Sequence, residues 1–429
     1  MRILFLTSVF PPLGYSGHDE RCRQMINALA KYGHNIQLLT SDYRLPPLGM
    51  KGERGIYREL KLYPTPTAGE SGLGDSFAAT YGHERYNAGT LNERISRFQP
   101  DVVYVWNMQG LSKSLLFQLQ AGGIPLIYDL HSDWLLPENF NADPWYRWWF
   151  NNSSFRSKLY KEGNRFFGRA RRILRALPIK ESTELNLKGS YVVSEWLKAT
   201  LAENGLSDAA GLPVIYPGLE LDKILPKNKF QPKKRFLWAG RLTEAKGADL
   251  AVEAIGILKG RGIDAKLDLF GMGDPRERKA KRARIEALGL IDRVRMRGIR
   301  PGEMTKHYAH YDAILYTSRS GEPFSMTVLE ALLSRLPLIA ANVGGHTEIL
   351  RDRRNTLFFE AGNAELLADA MVEFMGLPDA GQTIVSHDFD YLQSRHSTLE
   401  ICSEIESFLA KAATNGHQPV EDAQDSLCR

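Results

Sequence analysis

Short, continuous apolar runs alternate with amphipathic stretches along this sequence, and the alternation starts afresh halfway along. Strands that are apolar at every position are buried on both faces, so helices must cover a parallel sheet above and below. In the first half RILFLTSV, NIQLLTS, DVVYVWN, PLIYDLH, SYVVS and PVIYPG read as strands. Helical patterns lie in GHDERCRQMINALAKYG, TLNERISRF, SKSLLFQLQAG and EWLKATLAENG. In the second half the strands are KRFLWAG, KLDLFG, RVRMRG, DAILYTS, PLIAANV and TLFFE. Their helices are ADLAVEAIGILKG, PRERKAKRARIEALG, EMTKHYAHY, MTVLEALLS and AELLADAMVEFMG. A chain of 429 residues also exceeds one comfortable core. The expected class is α/β, with two Rossmann-like, doubly wound parallel-sheet domains that face each other across a deep cleft.

The break falls in PGLELDKILPKNKFQPKK, which is rich in Pro and Lys and lacks periodicity. It divides the chain into domains 1–217 and 218–386. A last helix at 387–412 is expected to pack back across the cleft, and the polar tail 413–429 reads as disordered. The net charge of +5 admits an anionic ligand or a membrane surface without implying nucleic acid. Cys22, Cys402 and Cys428 are scattered and odd in number, which argues against a disulfide framework and for a reducing cytoplasm. The first apolar run is too short for a signal peptide, and no run is long enough to span a membrane.

In open α/β sheets ligands sit beyond the carboxyl ends of the strands, so the loops after strands matter most. RFLWAG ends at Gly240; Arg241 follows, then Lys246-Gly247 and the start of a helix. Two cations beside a helix N-terminus suit a phosphate, although two solvated surface charges would look alike. Gly17, after the first strand, and Gly271, in LFGMGD, would allow close backbone approach, or would serve plain turns. The segment GEPFSMTVLE carries Glu322 and Glu330 in apolar surroundings. Ser325 reads as the N-cap of MTVLEALLS, a helix apolar nearly all round. A buried carboxylate needs donors, so Glu330 requires hydroxyls or a cation, either on a ligand or on Arg335. His131 ends the strand IYDLH, where Asp129 or Asp133 is its alternative partner. Asp388-Phe389-Asp390 precedes a helix and reads as a cap, not as a metal site.

GEPFSMTVLEA, with Glu322-x7-Glu330, resembles the E-x7-E motif of retaining nucleotide-sugar glycosyltransferases of the GT-B fold, family 4-like. GRLTEAKGADLAVEA resembles the G-R-x4-K-G phosphate loop of that family, and LIAANVGGHTEIL its Gly-Gly-x-x-Glu segment. The resemblance implies that Arg241 and Lys246 hold the donor diphosphate. It implies that Glu322 bonds the transferred sugar, that His131 lies near it, and that Glu330 takes the ribose diol. Gly17, Gly240 and Gly271 would admit the donor, and the N–H groups of Phe324, Ser325, Met326 and Thr327 would meet sugar or phosphate. The implied activity is that of a retaining hexosyltransferase acting from a UDP-sugar or GDP-mannose onto a glycan or lipid-linked acceptor in polysaccharide or glycoconjugate synthesis. No cofactor and no metal are expected. A nucleotide-sugar epimerase of the same fold and a non-catalytic sugar or nucleotide binder stand as alternatives.

From Pro144 to Arg175 nine Lys or Arg accompany one acidic residue, Glu162, among many aromatics. Such a segment suits an anionic membrane surface, or a packed helix with a basic face. Peripheral placement on the inner face of a cell membrane is the corresponding expectation.

Overall fold

The structure is a computed structural model that describes residues 1–13, 17–45, 53–63, 77–150, 179–231, 234–273, 275–299, 303–379 and 381–415. The chain divides into two compact units. The first contains Met1–Val193, Lys198–Ile215 and Cys402–Arg429; the second contains Ser194–Leu197 and Tyr216–Ile401.

In chain order the first half has β1 (Arg2–Thr7), α1 (Gly17–Lys31), β2 (Asn35–Ser41), β3 (Ile56–Leu60), α2 (Phe77–Phe98), β4 (Val102–Asn107) and α3 (Ser114–Ala121). There follow β5 (Leu126–Leu130), α4 (Pro137–Asn141), α5 (Pro144–Phe150), β6 (Tyr191–Val192) and α6 (Glu195–Glu203). Its sheet is parallel, in the order β3-β2-β1-β4-β5-β6. The second half has β7 (Arg235–Arg241), α7 (Ala248–Gly260), β8 (Lys266–Met272), α8 (Pro275–Ala287), β9 (Val294–Arg297), α9 (Thr305–Tyr308) and β10 (Ala313–Tyr316). It continues with α10 (Met326–Leu333), β11 (Leu338–Ala341), β12 (Leu357–Phe359), α11 (Ala364–Met375), α12 (Gln382–Ser386), α13 (Phe389–Arg395) and α14 (Thr398–Asn415). This sheet is also parallel, in the order β12-β11-β10-β7-β8-β9.

Three readings of the pattern are corrected. PVIYPG is not a strand; Val214 makes one isolated bridge to Val192. The sixth strand is IYREL, whose Arg58 and Glu59 disguise it. It is an edge strand, so its polar side chains find partners at the sheet margin: Arg58 pairs with Glu53 at 2.6 Å and Arg94 with Glu59 at 3.1 Å. The single last helix is two, α13 and α14. Leu219 interrupts them, donating to the His396 carbonyl at 2.8 Å and accepting from Thr398 N–H at 2.9 Å. The far half of α14 belongs to the first unit, where Glu406 accepts from His34 and Phe408 lies against Tyr191.

One face of the second sheet packs on α7 and α11 through Phe236, Trp238, Leu267, Leu269, Ala313 and Leu315. The chain order reverses between β7 and β10, and between β1 and β4. Loops leaving such strands splay apart and leave a crevice, the switch point where α/β sheets hold ligands.

Candidate active site

At the switch point of the second sheet, the loop after β7 is laced to the loop after β10. Thr317 Oγ1 donates to the carbonyls of Lys246 at 3.0 Å and Gly247 at 2.8 Å, and it accepts from Trp238 Nε1 at 2.9 Å. Arg319 N–H reaches the Ala245 carbonyl at 2.9 Å. Gly247 has φ +65°, and a Cβ there would collide with the Thr317 carbonyl. Only glycine therefore closes this turn and starts α7. Gly240 and Gly271 are opposite each other on β7 and β8. A Cβ on Gly271 would come within 2.6 Å of Leu242, so this glycine also lets the phosphate-type loop lie flat on the strand.

The laced loops bring Lys246 to Glu322. The Lys246 ammonium pairs with Oε2 of Glu322, and Ser318 Oγ donates to Oε1. Burial pushes the Glu322 carboxyl up, but the Lys246 charge and the hydrogen bonds of Lys246 and Ser318 outweigh it and hold the group below its ordinary value. The pair is neutral as a whole, which leaves Arg241, exposed at the end of β7, as the uncompensated cation of this loop among the described residues. Gly344 and Gly345 hold Glu322 from behind. Gly345 N–H donates to the Glu322 carbonyl at 2.9 Å. A Cβ on Gly344 would lie 2.6 Å from Glu322 N, and one on Gly345 would overlap the Pro323 carbonyl.

Ser325 is the N-cap of α10, its Oγ accepting from Val328 N–H at 3.4 Å. The Met326 and Thr327 N–H groups, in the first helical turn, have no intrahelical acceptor and carry the positive end of the dipole. Phe324 is buried, its ring near Tyr216 and His396. Glu330, one turn further on, accepts from Tyr308 OH at 2.8 Å, while Arg335 turns to Ser386. The glutamate thus has a protein donor as well, a hydroxyl that spacing alone does not reveal.

Four more residues build this wall. Glu348 accepts from the N–H groups of Glu195 at 2.9 Å and Trp196 at 2.7 Å, and from Tyr216 OH at 2.8 Å. It caps α6. Ser194 Oγ donates to the Pro323 carbonyl at 2.6 Å, and the Trp196 ring fills the space a Cβ on Gly321 would need. His346, fully buried, donates Nε2–H to the Ala341 carbonyl at 3.3 Å and lies edge-on to Tyr316. Burial lowers its pKa to about 4, against the weaker raising effect of that carbonyl, so it is neutral at pH 7.

In the first unit, His131 follows β5 and is 1% exposed. Its Nδ1–H donates to Asp129 at 2.8 Å, and Nε2 has no partner among the described residues. Asp129 also pairs with Arg21 and accepts from Tyr191; burial raises its pKa, and the Arg21 charge and these bonds hold it far below the carboxylate range. The Asp129 partner foreseen for His131 is therefore present. Gly17 is the first residue of α1, and the neighbouring His18 lies against His131 with centroids 4.4 Å apart. The basic aromatic segment 144–175 is described only as far as Phe150, within α5; the rest lies outside the described residues. No helix among the described residues is long and apolar enough to cross a membrane.

Two doubly wound sheets with a cationic strand-to-helix loop and a helix N-terminus at one switch point define a Rossmann-like α/β architecture suited to an anionic ligand. Comparison with known proteins narrows the class. Residues 15–223 match the family model Glycosyltransferase Family 4, and residues 222–384 match Glycosyl transferases group 1. The D-inositol 3-phosphate glycosyltransferase of Paenarthrobacter aurescens is 28% identical over 47% of this chain and 54% of its own length. A GDP-mannose-dependent phosphatidylinositol monomannoside mannosyltransferase of Mycobacterium tuberculosis is 26% identical over 43% of this chain and 51% of its own. The chain thus spans about half the length of these relatives. Among solved structures, the sucrose-phosphate synthase of Thermosynechococcus elongatus superposes with a TM-score of 0.72 at 18% identity, over 97% of this chain and 100% of its own. Anabaena HepE in complex with UDP-glucose gives 0.64 at 19%, over 96% and 100%. The fold is GT-B, and both halves of the chain are similar to glycosyltransferase family models.

Proposed function

We propose that this chain is a retaining hexosyltransferase. It would move a sugar from a UDP-sugar or GDP-mannose to a glycan or lipid-linked acceptor in polysaccharide or glycoconjugate synthesis. The observation that carries the reading is Glu322, fixed by Ser318, Lys246 and the Gly344-Gly345 backbone at the N-terminus of a helix that also carries Glu330. The UDP-glucose of the HepE neighbour supports a nucleotide-sugar donor.

Arg241, Lys246 and the N–H groups at the start of α10 stabilise the diphosphate as it leaves, so the step takes its charge stabilisation from the protein and needs neither metal nor cofactor. Glu322 bonds the sugar hydroxyls once Lys246 turns to phosphate, and Glu330 accepts from the ribose diol. In the transfer the bond from C1 to the phosphate oxygen breaks, and C1 bonds the acceptor oxygen on the same face. The acceptor's proton passes to the departing phosphate. On the family resemblance, His131, oriented by Asp129, would turn its Nε2 to the sugar. Segment 144–175 brings the chain to an anionic membrane surface where lipid-linked acceptors reside.

A thermal-shift panel of nucleoside diphosphates and their sugars tests this. One base is expected to raise the melting temperature in the wild type and much less in Glu330→Ala. No shift with any uridine or guanosine diphosphate would refute the reading.

A further inference from the structure

On the second sheet, Leu267 and Leu269 face α7, so Asp268 and Phe270 face the other way. A sheet face is ordinarily apolar, yet Asp268 is 5% exposed there. It accepts from Tyr311 OH at 2.6 Å and from Arg235 Nη2 at 3.2 Å, and it pairs with Arg297 Nε at 3.0 Å. The carboxylate is buried while its two guanidiniums reach solvent, and replacing a buried charge by an apolar side chain is often neutral or stabilising, so packing alone does not call for it.

The same three partners line an open cavity of about 460 Å³. His307 and His310 complete its polar wall and Phe270 its floor. Asp268 uses one of the two guanidinium charges, and no carboxylate lines the space among the described residues. Each guanidinium keeps N–H groups beyond those given to Asp268, and both are more than a third exposed, at 37% and 41%. Arg235 and Arg241 begin and end the seven-residue β7, roughly 20 Å apart along the strand. The Arg235 end of the cavity therefore lies far from the Arg241–Lys246 loop, and its Phe270–Arg297 end stands level with Ala239, two positions before Arg241.

We propose that this cavity binds a phosphate monoester at a second site, distinct from the donor diphosphate. Two guanidinium forks anchored by one buried carboxylate match the oxygens of a dianionic phosphate bidentately, and two imidazoles supply further donors. The Phe270 and Tyr311 rings, edge to face at 6.0 Å, flank the organic part of the ligand.

Isothermal titration of the full chain with glucose 6-phosphate, adenosine monophosphate and inorganic phosphate tests the site. One monoester is expected to bind at one site per chain, also in the presence of saturating uridine diphosphate. Arg297→Gln should weaken it about tenfold or more, while Arg241→Ala leaves it unchanged. His310→Gln, a milder change, serves if Arg297→Gln does not fold. No binding of any monoester at millimolar concentration would overturn the proposal. So would binding abolished by Arg241→Ala, or wild-type affinity in both cavity variants. Equal affinity for inorganic phosphate would overturn the assignment to a monoester.

Discussion

Removing the Lys246 ammonium should reveal how the candidate site is held together. Lys246 and Glu322 are 21% and 20% exposed, between a surface pair and a buried one. Exposed pairs contribute up to about 1 kcal/mol, and breaking a buried pair costs about 3–5, so Lys246→Ala should cost about 2 kcal/mol at pH 7. The pH dependence has a definite sign. Burial raises the Glu322 pKa, the Lys246 charge and bonds lower it further, and the net value lies below the ordinary one. Such a carboxylate stabilises the fold above its unfolded pKa and loses that contribution as pH falls through the folded value. In Lys246→Ala burial and the lowering effects of Ser318 and Tyr316 remain, so the advantage shrinks. Urea denaturation of the wild type, Lys246→Ala, Glu322→Gln and the double variant measures the coupling. It should reach about 1–2 kcal/mol at pH 7 and shrink in acid as Glu322 takes up its proton. Effects that add within about 0.4 kcal/mol at pH 7, or a coupling unchanged in acid, would refute the reasoning.

Gly345→Ala would drive a methyl group into the Pro323 carbonyl and to 2.6 Å from Ser194 Oγ, so it should cost about 2–3 kcal/mol in denaturation and lower turnover by shifting Glu322. His346, whose pKa burial lowers to about 4 from an unfolded value near 6.5, makes the fold lose up to about 3 kcal/mol as pH falls between those values. His346→Gln should flatten that slope in a stability–pH profile. Glu330→Ala, which leaves Tyr308 without its acceptor, should weaken nucleotide binding about tenfold by calorimetry with a smaller change in kcat.

The alternation of apolar runs made the two sheets legible because a parallel strand buried on both faces reads as a continuous apolar run, as in ILFL of β1 and AILY of β10. IYREL escaped because an edge strand tolerates Arg58 and Glu59, and PVIYPG misled because its apolar residues pack without a ladder. What the sequence made legible is where the candidate residues stand: Arg241 ends β7, Lys246 follows it, Glu322 follows β10 and His131 follows β5. What no local pattern carries is partnership across the chain. Lys246 meets Glu322 over 76 positions, and Glu348 meets Trp196 over 152. The first contact depends on β7 and β10 becoming neighbours in the sheet. The Asp268 cluster is a further case: KLDLFG reads as a strand, but the cavity exists only because Arg235, Arg297 and Tyr311 converge on it.

The central claim concerns stereochemistry at the sugar's C1, and slow donor hydrolysis reports it without a known acceptor. The purified chain, incubated with whichever nucleotide-sugar stabilises it most, would be followed by proton NMR of the anomeric signal before mutarotation. The α-anomer appearing first from an α-linked donor is the predicted result. First appearance of the β-anomer would contradict same-face transfer and the roles given to Glu322, Lys246 and Arg241.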